Sequence, residues 1–202
     1  MIETVAVALP GLQARALRTL GTRRPCPVET YRLIGLGMGE IDLRTAEAEP
    51  QRRRFNAYYG VRRNIVWRTN YYGIFEGAKA STLDTPALFV SVLADIFREC
   101  GRVEGSFASK LVATLRPDGP IVDSVVRAWL SQHGACPPFS GGVAGVITYY
   151  TWLNEILSAV SLTPEADAWR TAFSAAFPTA SPRDLVSPMK QLDFLIWAGA
   201  ER

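Results

Sequence analysis

"FASKLVATLRPDGPIVDSVVRAWL", residues 107 to 130, contains two helical patterns separated by a turn, and its reading decides the rest of the chain. In the first half Phe107, Leu111, Val112 and Leu115 recur at the spacing of one apolar helical face, and "RPDGP" (116–120) is a strong turn signal. In the second half Ile121, Val122, Val125, Val126, Trp129 and Leu130 form a broad apolar face, with Asp123 and Arg127 on the other. An aspartate in the first turn of a helix lies at the positive end of the macrodipole and accepts backbone N–H bonds as a carboxylate. Asp123 is therefore expected to cap a helix, and the open question is whether it also does chemistry.

Outward from this pair, the same grammar recurs. "TPALFVSVLADIFRECG" (85–101) has Thr85 as the expected N-cap, Pro86 at the first helical position and Gly101 just past the end. "TPEADAWRTAFSAAF" (163–177) and "SPMKQLDFLIWAGA" (187–200) repeat the hydroxyl-then-proline start, and "FSGGVAGVITYYTWLNEIL" (139–157) reads as a glycine-rich lead into an apolar helix. Residues 1–28 carry a short helical pattern, "GLQARALRTLG", closed by "TRRPCP". Residues 28–60 read as an irregular helical subdomain around the breakers Gly35, Gly37, Gly39 and Pro50. Few segments alternate with period two, so the expectation is an all-α protein of about eight to ten helices. At 202 residues it forms a single domain, 1–202, with 1–84 as an N-terminal helical subregion and 85–202 carrying the helical pair.

Composition narrows the function classes. A hydrophobic share of 48% with 20% charged residues is that of a folded globular chain. Cys26, Cys100 and Cys136 form no CxxC pair and are odd in number, which fits a reducing, cytoplasmic setting. No apolar run approaches the roughly 18 residues of a spanning helix, and Glu3 stands where a signal peptide carries positive charge, so neither export nor a membrane partner is expected. One histidine, His133, and three scattered cysteines are too few soft ligands for a zinc or iron–sulfur centre. No phosphate-binding glycine motif occurs, since "GLGMGE" (35–40) has the wrong spacing, and no metal or organic cofactor is expected.

The net charge is +3, and 19 of the 22 basic residues are arginine; Lys79, Lys110 and Lys190 are the only lysines. That bias fits either a GC-rich genome or a phosphate-contacting surface. "RRNIVWRTNYYGIFEGAKAS" (62–81) interleaves Trp67 and Tyr71 with Arg63 and Arg68, a pattern that suits stacking on bases and pairing with phosphates, or equally a helix that buries its aromatics. Ser106 and Ser109, at a helix start, are candidates to hold a DNA phosphate or to cap. Tyr149, Tyr150 and Trp152 either line a base pocket or pack in the core. Lys190 and Asp193, three apart, read as an intrahelical ion pair.

The order helix, turn, proline, two β-branched residues, Asp123, then a helix with Arg127 resembles the helix-hairpin-helix DNA glycosylase superfamily, in particular small bacterial chains of oxoguanine-glycosylase fold. "PIVDSVVR" is similar to that family's P-V-D-x-x-V-x-R segment; the chain departs from it at the hairpin, where "RECGRVEGSFASK" has no L-P-G-x-G. The resemblance implies a helical bundle with a DNA cleft, and Asp123 as the catalytic aspartate. It implies base flipping in double-stranded DNA, cleavage of the N-glycosidic bond and an abasic product. Oxidised guanine is one implied substrate; a bulky phage cytosine such as glucosylated hydroxymethylcytosine, removed in anti-phage defence, is another. Bifunctional relatives use a lysine, and Lys110 is the candidate here, or else meets a phosphate or lies at the surface. Arg63, Arg68 and Arg127 are the expected phosphate contacts, and the working unit is expected to be a monomer. A non-enzymatic DNA-binding protein and a protein-interaction module remain the alternatives.

Overall fold

The computed structural model describes residues 1–136, 138, 141–182 and 185–200. These form eleven α-helices and one 3-10 turn, with no strand among the described residues. The helices are α1 (Ile2–Ala8), α2 (Pro10–Thr22), α3 (Pro27–Glu40), α4 (Glu49–Tyr59), α5 (Ile65–Lys79) and α6 (Thr85–Cys100), then α7 (Gly105–Leu115), α8 (Ser124–Gln132), α9 (Gly142–Val160), α10 (Pro164–Ala176) and α11 (Pro188–Gly199). The all-α class holds, with more helices than the apolar periodicity suggested.

The caps explain the boundaries. Thr163 accepts the amide proton of Ala166 at 3.4 Å and Ser187 that of Lys190 at 3.1 Å, each followed by proline at the first helical position. In α6 the cap is Asp84, whose Oδ1 accepts from Ala87 N at 2.9 Å, so Thr85 is the first helical residue rather than the cap. Gly101 closes α6 in the left-handed conformation at φ 67°, where a Cβ would be strained. The segment 28–60 is more regular than its glycines suggested. Gly35, Gly37 and Gly39 all lie within continuous α3, because that helix is held by packing of Val28, Tyr31, Ile34 and Met38. Phe139 and Ser140, at the start of the glycine-rich lead into α9, lie outside the described residues.

Two hydrophobic clusters make up the core. One gathers Leu9, between α1 and α2, with Leu20, Trp129, Leu153, Trp169, Phe173 and Leu195 from α2 and α8–α11; the other gathers Ile34, Phe55, Tyr71, Phe75, Phe89, Leu93 and Leu111 from α3–α7. This grouping does not follow a cut at residue 84: α5 and α6 share one cluster, while α2 packs along α11 at the opposite end of the chain. The α2–α11 approach is close enough that a Cβ at Gly199 would lie 2.8 Å from the Leu12 carbonyl oxygen. Neighbours on α9 face opposite ways, Tyr149 into the first cluster and Tyr150 into the second. Tyr58 and Val122 touch both. The seam between the clusters therefore passes beside Asp123.

Candidate functional site

Between α7 and α8 the chain turns at residues 116–119, where Gly119 N–H donates to the Arg116 carbonyl at 2.8 Å, and then runs without regular secondary structure through Pro120–Val122. Ile121 and Val122, expected on the helix, belong to this lead-in, and α8 begins at Ser124. Asp123 is the N-cap itself, with extended backbone (φ −128°, ψ 142°), and its Oδ1 accepts from Val125 N at 2.7 Å. That is the only hydrogen bond of the Asp123 carboxylate among the described residues. The side chain is half-buried.

Lys110 projects from α7 toward the same place. Its Nζ donates to the Tyr59 carbonyl at the end of α4, 3.2 Å away, and lies 5.1 Å from the centre of the Phe107 ring. Burial lowers its pKa from the usual lysine value, and the Lys190 charge adds to that; the carboxylates of Asp123 and Asp193 oppose it.

Both residues line a cavity of about 260 Å³ at the seam, walled by Tyr58 and Tyr59 of α4, Ile121, and Lys190, Asp193, Phe194 and Trp197 of α11. They also line a second cavity of about 430 Å³ with Gly105, Ser106, Ser124, Arg127 and Tyr149. Lys110 and Asp123 thus stand where two concavities share a wall. One cavity is aromatic, and the other is rimmed by the starts of α7 and α8.

The far wall of the aromatic cavity holds a buried ion pair. Lys190 Nζ and Asp193 Oδ2 are 2.6 Å apart, with the two residues only 5% and 7% exposed. The ammonium is boxed by rings, 4.7 Å from Phe194, 5.1 Å from Tyr31, 5.9 Å from Tyr58 and 6.0 Å from Tyr59. Burial raises the Asp193 pKa, the Lys190 ammonium opposes that rise, and the Asp123 charge reinforces it. α11 is tied to the α7–α8 turn by Ser187 Oγ, which donates to the Pro117 carbonyl at 2.6 Å.

The other expected site residues are distributed differently. Ser106 and Arg127 lie beside Asp123 in the second cavity. Ser109 is fully buried: its hydroxyl donates to the Ser106 carbonyl at 3.0 Å and accepts from Val122 N at 2.9 Å, so it serves the fold and faces no phosphate. Arg63 pairs with Glu104 at 2.6 Å over the Trp67 and Phe107 rings. Arg68 lines a separate cavity between α4 and α5. Trp67 and Tyr71 stack on each other at 4.9 Å inside the second core cluster, and Tyr71 Oη donates to the Phe107 carbonyl; neither lines the cavity of Asp123. Tyr150 is stacked face to face on Phe89 at 3.7 Å and is core. Of the base-pocket candidates only Tyr149 reaches a cavity wall of Asp123, with Trp152 stacked behind it at 5.9 Å.

Sequence reasoning missed Tyr31, Tyr58, Tyr59 and Trp197. A usable signal was the scarcity of lysine, since two of only three in the chain line one cavity. Among the described residues no three of His, Cys, Asp and Glu cluster to hold a metal, and no helix is long and apolar enough to cross a membrane. No protein family, curated protein or solved structure matches the chain.

Proposed function

We propose that the protein is a DNA N-glycosylase that takes a modified base out of the duplex and cleaves its glycosidic bond at Asp123. The observation that carries this reading is the meeting of Asp123 and Lys110 on the shared wall of an aromatic cavity and an open one. Departure of the base breaks the C1′–N bond, leaves the electron pair on the base and builds positive charge on the sugar, as in other glycoside cleavages. A carboxylate fixed by its own helix cap, with one oxygen not engaged in a hydrogen bond among the described residues, stabilises that charge and aligns a water for attack at C1′. The aromatic cavity then takes the base, and Ser106 and Arg127 take the flanking phosphates.

Lys110 adds the second half of the chemistry. An amine desolvated by burial is neutral over a wider pH range, so it can attack C1′ as the bond to the base breaks; the C1′–O4′ bond then opens to leave an imine and a 4′ hydroxyl, and loss of a C2′ proton to water expels the 3′ phosphate by β-elimination. The base is either oxidised guanine or a bulky cytosine.

The test is incubation with duplexes carrying oxidised, alkylated, deaminated or glucosylated bases, followed by alkali to cut abasic sites. Base release by wild type, lost in Asp123→Asn with duplex binding retained, is the expected result. Strand cuts without alkali, and borohydride trapping lost in Lys110→Ala, assign the lyase step to Lys110. Binding without release on any substrate replaces this reading with a non-enzymatic DNA-binding protein; no binding at any salt concentration replaces it with an interaction module.

A further inference from the structure

A third concavity, about 170 Å³, lies between α4 and α5, and its wall includes Arg44, Glu49, Arg52, Asn56, Arg68 and Tyr72. The partners of its charged groups can be followed one by one. Arg44 pairs with Asp42 at 2.8 Å. Arg52 is pinned by the carbonyls of Leu43 and Thr45 at 2.6 and 2.7 Å and by Glu49 Oε2 at 2.9 Å, while Arg53 occupies Glu49 Oε1 at 2.8 Å. Both oxygens of the one carboxylate in the wall are therefore already held by guanidinium groups.

Arg68 is the exception. Among the described residues its side chain has no ion pair or hydrogen bond, and its Nε is buried without an acceptor. A buried donor on a cation is costly to leave unmet, and a charged acceptor makes the stronger bond to it. The rest of the wall is arranged around this charge. Tyr72 Oη donates to Asn56 Oδ1 at 2.8 Å, which leaves the Asn56 amide nitrogen as a further donor. Burial raises the Tyr72 pKa, and the positive charges of Arg52 and Arg68 oppose that rise; the Arg52 guanidinium lies 5.9 Å from the centre of the ring.

We propose that this concavity is a phosphoryl-anion site in which Arg68 supplies the donor fork and the pinned Arg52 a fixed positive field. A guanidinium with an open edge matches two oxygens of a tetrahedral phosphate, and the volume suits a phosphate group on a small stem. The phosphoryl group has two possible sources, a nucleic-acid backbone or a free phosphomonoester. The site is separate from the Asp123 cavities and its assignment is independent of the reaction there.

The experiment titrates inorganic phosphate into the full chain by calorimetry and thermal denaturation, with sodium chloride at matched ionic strength as reference. Wild type shows saturable binding and a phosphate-specific rise in Tm. Arg68→Gln loses at least tenfold in affinity while remaining as stable as wild type without phosphate, Arg68→Lys is intermediate, and Asp123→Asn responds like wild type. If Arg68→Gln weakens binding to a duplex and phosphate competes with that duplex, the source is the backbone. If it abolishes the phosphate response but leaves duplex affinity unchanged, the source is a free phosphomonoester. A wild type with no response beyond chloride overturns the site. So does an Arg68→Gln or Arg68→Lys protein that binds phosphate as tightly as wild type.

Discussion

The hydroxyl of Ser109 accepts the amide proton of Val122 at 2.9 Å, thirteen residues further along. Each partner is the immediate neighbour of a candidate catalytic residue, Ser109 of Lys110 and Val122 of Asp123. One buried hydrogen bond therefore sets the distance between α7 and the start of α8, and with it the spacing of amine and carboxylate.

Ser109→Ala removes the acceptor and leaves the Val122 N–H unmet in the interior, which costs about 1–3 kcal/mol. Urea denaturation monitors this loss. Base release under conditions where the variant is fully folded should fall on the order of 100-fold, because small misplacements of reacting groups have effects of that size. Undiminished activity in the folded variant would show that the bond serves stability alone.

Substitutions separate the capping role of Asp123 from the catalytic role proposed for it. Asparagine keeps a capping oxygen, so Asp123→Asn should unfold within a few tenths of a kcal/mol of wild type, whereas Asp123→Ala should lose about 0.5–2 kcal/mol. Both should lose base release. Equal stability of the two variants in thermal melts would mean that the Val125 contact contributes nothing to α8.

Lys110 is distinguished from an ordinary lysine by its titration. With three lysines in the chain, 13C-methylation gives a spectrum simple enough to assign by substitution. The Lys110 signal should titrate below the ordinary value of 10.5, in the direction that burial dictates. The sign for stability follows: between the folded and unfolded pKa the unfolded chain binds the proton that the folded chain lacks, so the lysine's contribution to stability rises with pH across that window. Chemical denaturation at increasing alkaline pH should show wild type gaining on Lys110→Met. A gap that is constant with pH would refute the desolvated amine.

The Lys190–Asp193 pair should behave as a unit. Asp193→Asn leaves a buried ammonium among aromatic rings and should cost about 3–5 kcal/mol, while Lys190→Met with Asp193→Leu restores most of it because the desolvation of both charges disappears with them. Denaturation midpoints of Lys190→Met, Asp193→Leu and the double variant test this coupling. Additive single effects would place the two charges in contact with solvent instead of with each other.

Much of the fold was legible because its determinants are local. The Thr163–Pro164 and Ser187–Pro188 starts, the left-handed Gly101 and the apolar spacing of α6 and α7 are read within a helical turn, over which a side chain and the backbone it caps are always neighbours. Where reading failed, tertiary packing had overridden a local preference. Gly35, Gly37 and Gly39 stay helical since α3 buries one face, and Ile121 and Val122 stay outside α8, where Ser109 holds the latter.

The residues of the site divide the same way. Asp123 was visible from its proline and its helix, and Lys110 from its place in the preceding one. That Trp67, Tyr71 and Tyr150 would be core while Tyr58, Tyr59 and Trp197 would wall the cavity was not visible, because an aromatic side chain has the same chemistry in either place and its surroundings come from other elements. The sequence alone determined the starts of α10 and α11, the end of α6 and which groups carry charge. Only the tertiary structure decided that α4, α7 and α11 close around Asp123, since the contacts that bring residues 59, 110, 123 and 190 together join positions far apart in the chain, and no short-range periodicity encodes them.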